Sequence, residues 1–105
     1  MFESTVGKDV IFGRKGKREY RGKVKYEVQF LEPYNSNSDR DFMDLVQGIK
    51  WEDGQINIRI CYYIKNHGKP DSEWKFANRP LSTTKELFGE LLKKAQKEEW
   101  FPKLS

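Results

Sequence analysis

Hydrophobic and polar side chains alternate along residues 56–65. The even positions are apolar: Ile56, Ile58, Ile60, Tyr62 and Ile64. The odd positions are mostly polar: Asn57, Arg59, Cys61, Tyr63 and Lys65. A period of two is typical of a β-strand with one buried face. The alternation resumes at Trp74 and Phe76 after the turn-forming residues 66–71. The pattern therefore predicts an antiparallel hairpin with an apolar core face and a polar face.

Other segments show strand patterns of the same kind. Residues 20–30 alternate between apolar and mostly charged positions, and residues 10–12 are a short apolar run. An Asp-Gly pair at positions 53 and 54 lies between apolar positions, which is a strong short-range signal for a hairpin turn. We therefore expect a brief strand that ends before Glu52 and pairs with residues 56–65.

The segment near residues 39–47 predicts a short helix. Phe42, Leu45 and Val46 lie three and four residues apart, which is the spacing of one helical face. The Gly48 that follows is a residue type that ends helices.

A longer helix is predicted at the C-terminus, over about residues 84–98. Thr83 and Glu86 have the spacing of a capping box. The apolar positions recur at helical intervals: Leu87, Phe88, Leu91, Leu92 and Ala95. Because this helix has one apolar stripe, we expect it to cover the apolar face of the sheet, with Trp74 and Phe76 buried beneath it.

Together these elements predict a single globular domain over residues 1–105 with an α+β fold. Its expected parts are a curved antiparallel sheet of four to five strands, a short helix near residues 39–47 and the C-terminal helix packed on one face. A chain of 105 residues has the size of one domain.

The charge is uneven along the chain, although the net charge is only +4. Residues 1–30 hold eight basic and four acidic residues, residues 31–54 hold two and six, and residues 55–80 hold five and two. The basic excess therefore lies on the predicted strands, which favours an acidic partner such as nucleic acid. A solvated surface with uneven charge is the alternative.

Cations on the predicted strands form the candidate nucleic-acid site. Strand side chains alternate, so Arg21, Lys23 and Lys25 are expected on one face, where they suit a row of phosphates. An exposed tyrosine beside an arginine can stack a base and hold a phosphate. The predicted contacts are Arg14, Lys15, Lys17, Arg18, Arg21, Lys23, Lys25, Arg59, Tyr63, Lys65, Lys75 and Arg79.

Catalytic and metal-binding patterns are sparse. Cys61 is the one cysteine and His67 the one histidine, which together supply two of the four ligands that a zinc site needs. The acidic residues Asp39, Asp41, Asp44, Glu52 and Asp53 could hold a metal, but capping and turn roles account for most of them. We therefore expect no cofactor, no metal and no catalytic residue.

The sequence predicts a small intracellular binding module with nucleic acid as its partner. One alternative is a protein-interaction or inhibitor module that uses the same sheet face against an acidic protein. The other is a small hydrolase or nuclease centred on His67. One cysteine, no apolar run of membrane-spanning length and no secretory signal at the N-terminus favour a cytoplasmic location without a membrane partner.

Overall fold

The computed structural model describes residues 2–12, 19–77 and 79–103. Within these ranges, five strands pair in chain order to form one antiparallel sheet that curls like half a barrel, and one α-helix follows them. The elements are β1 (Asp9–Phe12), β2 (Tyr20–Leu31), β3 (Arg40–Trp51), β4 (Ile56–Asn66), β5 (Lys75–Phe76) and α1 (Lys85–Gln96). The predicted α+β fold, with an antiparallel sheet and a C-terminal helix, is confirmed.

The short helix predicted near residues 39–47 is wrong, because this segment is the central strand β3. Val46 packs on the side of the sheet that carries α1, which we call the helix side. Leu45 and Ile49 pack on the opposite side, which we call the far side. A strand that is covered on both faces needs apolar residues on both, so it loses the period of two. Its apolar residues then fell at helical intervals.

The turn between β3 and β4 spans residues 52–55. The backbone N–H of Gly54 donates to the carbonyl oxygen of Trp51 at 2.9 Å, and Trp51 N–H donates to Gln55 at 2.9 Å. Gly54 has φ +89°, a left-handed conformation that favours glycine. The predicted hairpin turn is confirmed, but the strand before it has 12 residues and is not brief.

The helix α1 starts one residue later than the capping pattern predicted. The side chain of Thr84, rather than Thr83, accepts a hydrogen bond from the Leu87 N–H at 3.1 Å. Buried Leu91 and Ala95 pack against β2 and β3 on the helix side. This contact attaches the helix to the middle of the sheet.

Trp74 and Phe76 do not lie beneath α1, contrary to the prediction. Trp74 packs on the far side against the buried cluster that contains Leu45, and Phe76 is 43% exposed opposite Tyr63. The apolar residues of β4 do point to the helix side, since Ile60 lies opposite Val46. They remain partly exposed because α1 covers β2 and β3 instead of β4.

Close packing at Gly22 predicts a measurable loss of stability. A Cβ atom at this position would lie 2.7 Å from Cε3 of Trp51 and 2.8 Å from the backbone oxygen of Lys50. Backbone atoms cannot move aside cheaply, so we expect Gly22→Ala to lower the free energy of unfolding by about 1–3 kcal/mol in urea titrations. In the control Gly89→Ala, the new Cβ meets nothing within 4 Å, and higher helix propensity should stabilise α1. Equal urea midpoints for Gly22→Ala and the wild type would contradict this prediction.

Candidate functional site

The polar face of β4 is largely engaged in packing on the far side. The Arg59 Nε–H donates to Oε1 of Gln47 at 2.9 Å, and its guanidinium lies 5.3 Å from the centre of the Phe76 ring. The Tyr63 ring meets Phe2 and Phe76 edge-on, with centroid distances of 5.0 and 5.5 Å. The predicted stacking face of Tyr63 is therefore already in contact with two other rings.

A chain of hydrogen bonds crosses the far side from Glu27 to Arg59. Thr5 donates to the Glu27 carboxylate through both its N–H and its hydroxyl, and Gln47 Nε2 donates to the Thr5 hydroxyl at 2.8 Å. Burial raises the pKa of Glu27, but hydrogen bonds from Gln29 and Thr5 outweigh it and hold that pKa below its usual value. The chain of bonds fixes the N-terminal segment across three strands.

Cys61 is a poor candidate nucleophile in this position. Its thiol is buried and donates to Oε1 of Gln47 at 3.4 Å. Burial raises the pKa of Cys61 to about 11, and the nearby Arg59 charge lowers it only in part. Because the thiolate is the reactive form, a thiol that stays protonated at neutral pH is unreactive.

His67 pairs with a carboxylate at the other end of β4. Its Nδ1 lies 2.7 Å from Oδ1 of Asp41, and its ring stacks on Tyr34 with 3.7 Å between centroids. A histidine oriented by a carboxylate can act as a base, but that chemistry also needs a nucleophile beside the ring. Among the described residues, no serine, threonine or cysteine side chain bonds to His67.

The predicted acidic group is dispersed. Asp39 and Asp41 lie at the start of β3, while Glu52 and Asp53 lie in the turn at its other end. Asp44 is fully buried between Phe30 and Tyr62 in the register of the sheet. In residues 2–12, 19–77 and 79–103, no three potential metal ligands come together.

The basic residues of β2 are exposed but do not form a regular row. Arg21 and Lys23 make exposed ion pairs with Glu19 at 3.6 Å and Asp9 at 3.5 Å, which contribute little to stability. Lys25 falls where the β2–β3 register shifts, so the regular alternation ends before it. The remaining predicted contacts of this stretch, Arg14, Lys15, Lys17 and Arg18, lie outside the described residues.

The other predicted contacts do not share one surface. Lys65 lies on the far side, with Nζ 5.4 Å from the centre of the Trp74 ring. Lys75 is exposed opposite Ile64, which places it on the helix side. Arg79 is exposed after β5. The sheet therefore separates Lys75 from Arg59 and Lys65.

A hollow of about 680 Å³ lies where β1 ends, β2 begins and β3 turns into β4, and we call it the aromatic hollow. Three rings line it, from Phe12, Tyr20 and Trp51, with Arg21 and Asn57 beside them. The Phe12 and Trp51 rings are 5.4 Å apart and tilted by 49°, and Phe12 is 50% exposed.

Sequence reasoning did not find the aromatic hollow because its rings are up to 39 positions apart, from Phe12 to Trp51. Strand pairing brings them together, since Phe12 lies opposite Tyr20 and Gly22 lies opposite Trp51. The available signal was that each ring lies at or near the end of a strand.

No protein family, curated protein or solved structure matches this chain. Any functional proposal therefore depends on the geometry described above. Among the described residues, the longest helix has 12 residues, and none has the length and apolar character needed to span a bilayer.

Proposed function

We propose that the protein binds single-stranded nucleic acid, with one base in the aromatic hollow and phosphates on the cations of β2. The observation that carries this proposal is the exposed Phe12 ring beside Trp51, in a hollow that Arg21 also lines. Aromatic faces stack on bases, and an adjacent cation neutralises phosphate.

The size and polar groups of the aromatic hollow suit a base. Its volume of about 680 Å³ is in the range of small-ligand sites. Gln55 and Asn57 also line it, and their amides can donate to and accept from the edge of a base. Glu19, Glu52 and Asp53 line it as well, and their carboxylates would accept hydrogen bonds from amino groups while repelling phosphate. We therefore expect cytosine to be preferred over thymine.

The phosphates would lie on the exposed cations Arg21, Lys23 and Lys25. Each phosphate contact releases counterions, so affinity should fall steeply as salt rises. The other predicted contacts stay predictions for the same ligand: Arg14, Lys15, Lys17, Arg18, Arg59, Tyr63, Lys65, Lys75 and Arg79.

Titration of a labelled cytosine 12-mer at low salt, followed by fluorescence anisotropy, tests the stacking contact. Phe12→Ala should weaken binding roughly tenfold, because base–aromatic stacking contributes about 1–3 kcal/mol. The control Tyr34→Ala removes a ring of similar exposure outside the predicted contacts and should leave affinity unchanged. No detectable binding by the wild type would overturn the proposed function.

Two pairs of charge reversals test whether oligonucleotide binding depends on the cations of β2 or on the net charge of the protein. Arg21→Glu with Lys23→Glu should abolish oligonucleotide binding and reduce its dependence on salt. The control pair Lys93→Glu with Lys97→Glu makes the same charge change at exposed positions around the end of α1. Equal losses for both pairs would mean that nucleic acid is attracted by overall charge and not by β2.

A further inference from the structure

The first half of β4 is an open edge of the sheet. The short strand β5 pairs only with Tyr63 and Ile64. Among the described residues, residues 56–61 have β3 on one side and no strand on the other. An open edge presents unpaired N–H and C=O groups to which another strand can bond.

The hydrogen bonds of Gln55 and Tyr62, on either side of residues 56–61, show which backbone groups of this segment point away from β3. Tyr62 directs its carbonyl oxygen away from β3, to the Ala77 N–H at 3.0 Å. Gln55 directs its carbonyl oxygen toward β3, to the Trp51 N–H at 2.9 Å. Because these directions alternate along a strand, the even-numbered residues point outward. The residues with outward N–H and C=O groups are Ile56, Ile58 and Ile60.

The side chains of these residues are also partly exposed. Ile56, Ile58 and Ile60 are 48%, 40% and 39% exposed, and all three point to the helix side. The helix α1 packs over β2 and β3, which leaves this row of side chains partly exposed. An apolar row beside free backbone groups is the surface to which an added strand binds.

We propose that the open edge of β4 binds an extended segment of a partner protein, with apolar residues at alternate positions and an acidic residue facing Arg59. An added strand would place every second side chain on the helix side, against the isoleucines. The intervening side chains would point to the far side, where Arg59 lies on the edge strand.

Charge and size favour this partner over a second copy of the chain. No residue of β4 is acidic, while Arg59 lies on its far side and Lys50 lies opposite Ile56 on its helix side. Two copies would bring these cations together. A stable dimer buries about 800 Å² per partner, far more than three half-exposed isoleucines supply. Neither objection applies to a single acidic strand, because it brings no second set of cations and does not need the buried area of a dimer.

The central isoleucines of this binding edge lie outside the proposed nucleic-acid site, although Asn57 of the same strand lines the aromatic hollow. Neither Ile58 nor Ile60 lines the aromatic hollow, and neither adjoins Arg21 or Lys23 in the sheet. Absence of oligonucleotide binding would therefore not contradict the peptide-binding edge, and absence of peptide binding would not contradict the nucleic-acid site.

The test uses the full chain and a synthetic nine-residue peptide that alternates aspartate with valine or isoleucine. Binding is measured by calorimetry, and backbone amides are followed by NMR. We expect Ile58→Thr to weaken binding roughly tenfold, since it removes buried apolar area while keeping a strand-forming residue. The control Ile11→Thr alters an isoleucine of similar exposure on β1 and should bind normally.

Modified peptides test the chemistry of the partner. Two peptides are made, with methyl groups on the odd-numbered or on the even-numbered backbone nitrogens. The peptide whose methylated nitrogens face β4 should not bind, because strand addition requires those N–H groups. Lysine in place of aspartate should also abolish binding. Protection of the Ile56, Ile58 and Ile60 amides from exchange in the complex supports the proposal. Absence of binding, or a dimer that protects these amides without peptide, would overturn it.

Discussion

The free energy of unfolding is expected to fall steadily as pH is raised from about 4 to about 8. Asp44 causes this dependence, because its carboxyl group is fully buried and neither oxygen has a hydrogen-bond partner among the described residues. Burial raises the pKa of Asp44, the neighbouring Glu32 carboxylate acts in the same direction, and together they bring this pKa to about 8. The folded protein therefore holds Asp44 as the neutral acid at pH 7.

The sign of the effect follows from proton uptake. An unfolded aspartate loses its proton near pH 3.9, so between about 4 and 8 the folded state binds one more proton than the unfolded state. Each pH unit in this window lowers the free energy of unfolding by about 1.4 kcal/mol, or roughly 5 kcal/mol across the window. Below about 4 and above about 8, Asp44 adds no slope, because both states then hold the same charge.

Urea titrations at several pH values between 4.5 and 8 measure this slope. Asp44→Asn keeps the shape of the side chain without the ionisation, so its stability should vary much less with pH. The control Asp71→Asn changes an exposed carboxylate and should keep the wild-type slope. Glu27, whose pKa is lowered, stabilises the fold above its unfolded pKa and loses this effect only at more acid pH. Identical slopes for the wild type and Asp44→Asn would contradict the prediction.

Removal of the Leu91 side chain is expected to release α1 from the sheet. Leu91 is fully buried against Val28 and Val46, and few other buried side chains attach the helix. Leu91→Ala should lower the free energy of unfolding by about 2–5 kcal/mol, measured by urea titration. Leu92→Ala is the matched control, because the adjacent leucine is only half-buried and should cost less. Equal losses would mean that Leu91 does not anchor the helix.

The alternation of side chains along β4 predicted only part of the candidate site. The alternation of β4 separated its apolar residues from its polar ones correctly, as the opposite registers of Ile60 and Arg59 confirm. It could not tell which side would be covered. Tyr63 became packed because Phe2 and Trp74 cover it on the far side. Arg59 became packed because it contacts Gln47 and Phe76, which are more than ten positions away in the chain.

The sequence by itself determined the elements with one apolar side. The strands β2 and β4 and the helix α1 each carry apolar side chains at a regular interval, and that period is visible in the chain before any tertiary contact forms. Local turn chemistry likewise determined the β3–β4 hairpin, because Gly54 adopts a conformation that few other residues tolerate.

Only the tertiary structure decided the identity of β3, the exposure of the β4 isoleucines and the aromatic hollow. The strand β3 is covered on both sides, which erases its period. The isoleucines stay exposed because α1 packs over β2 and β3. The aromatic hollow forms where Phe12, Tyr20 and Trp51 meet. In each case the decisive contact joins residues far apart in the chain, and a local pattern carries no information about such contacts.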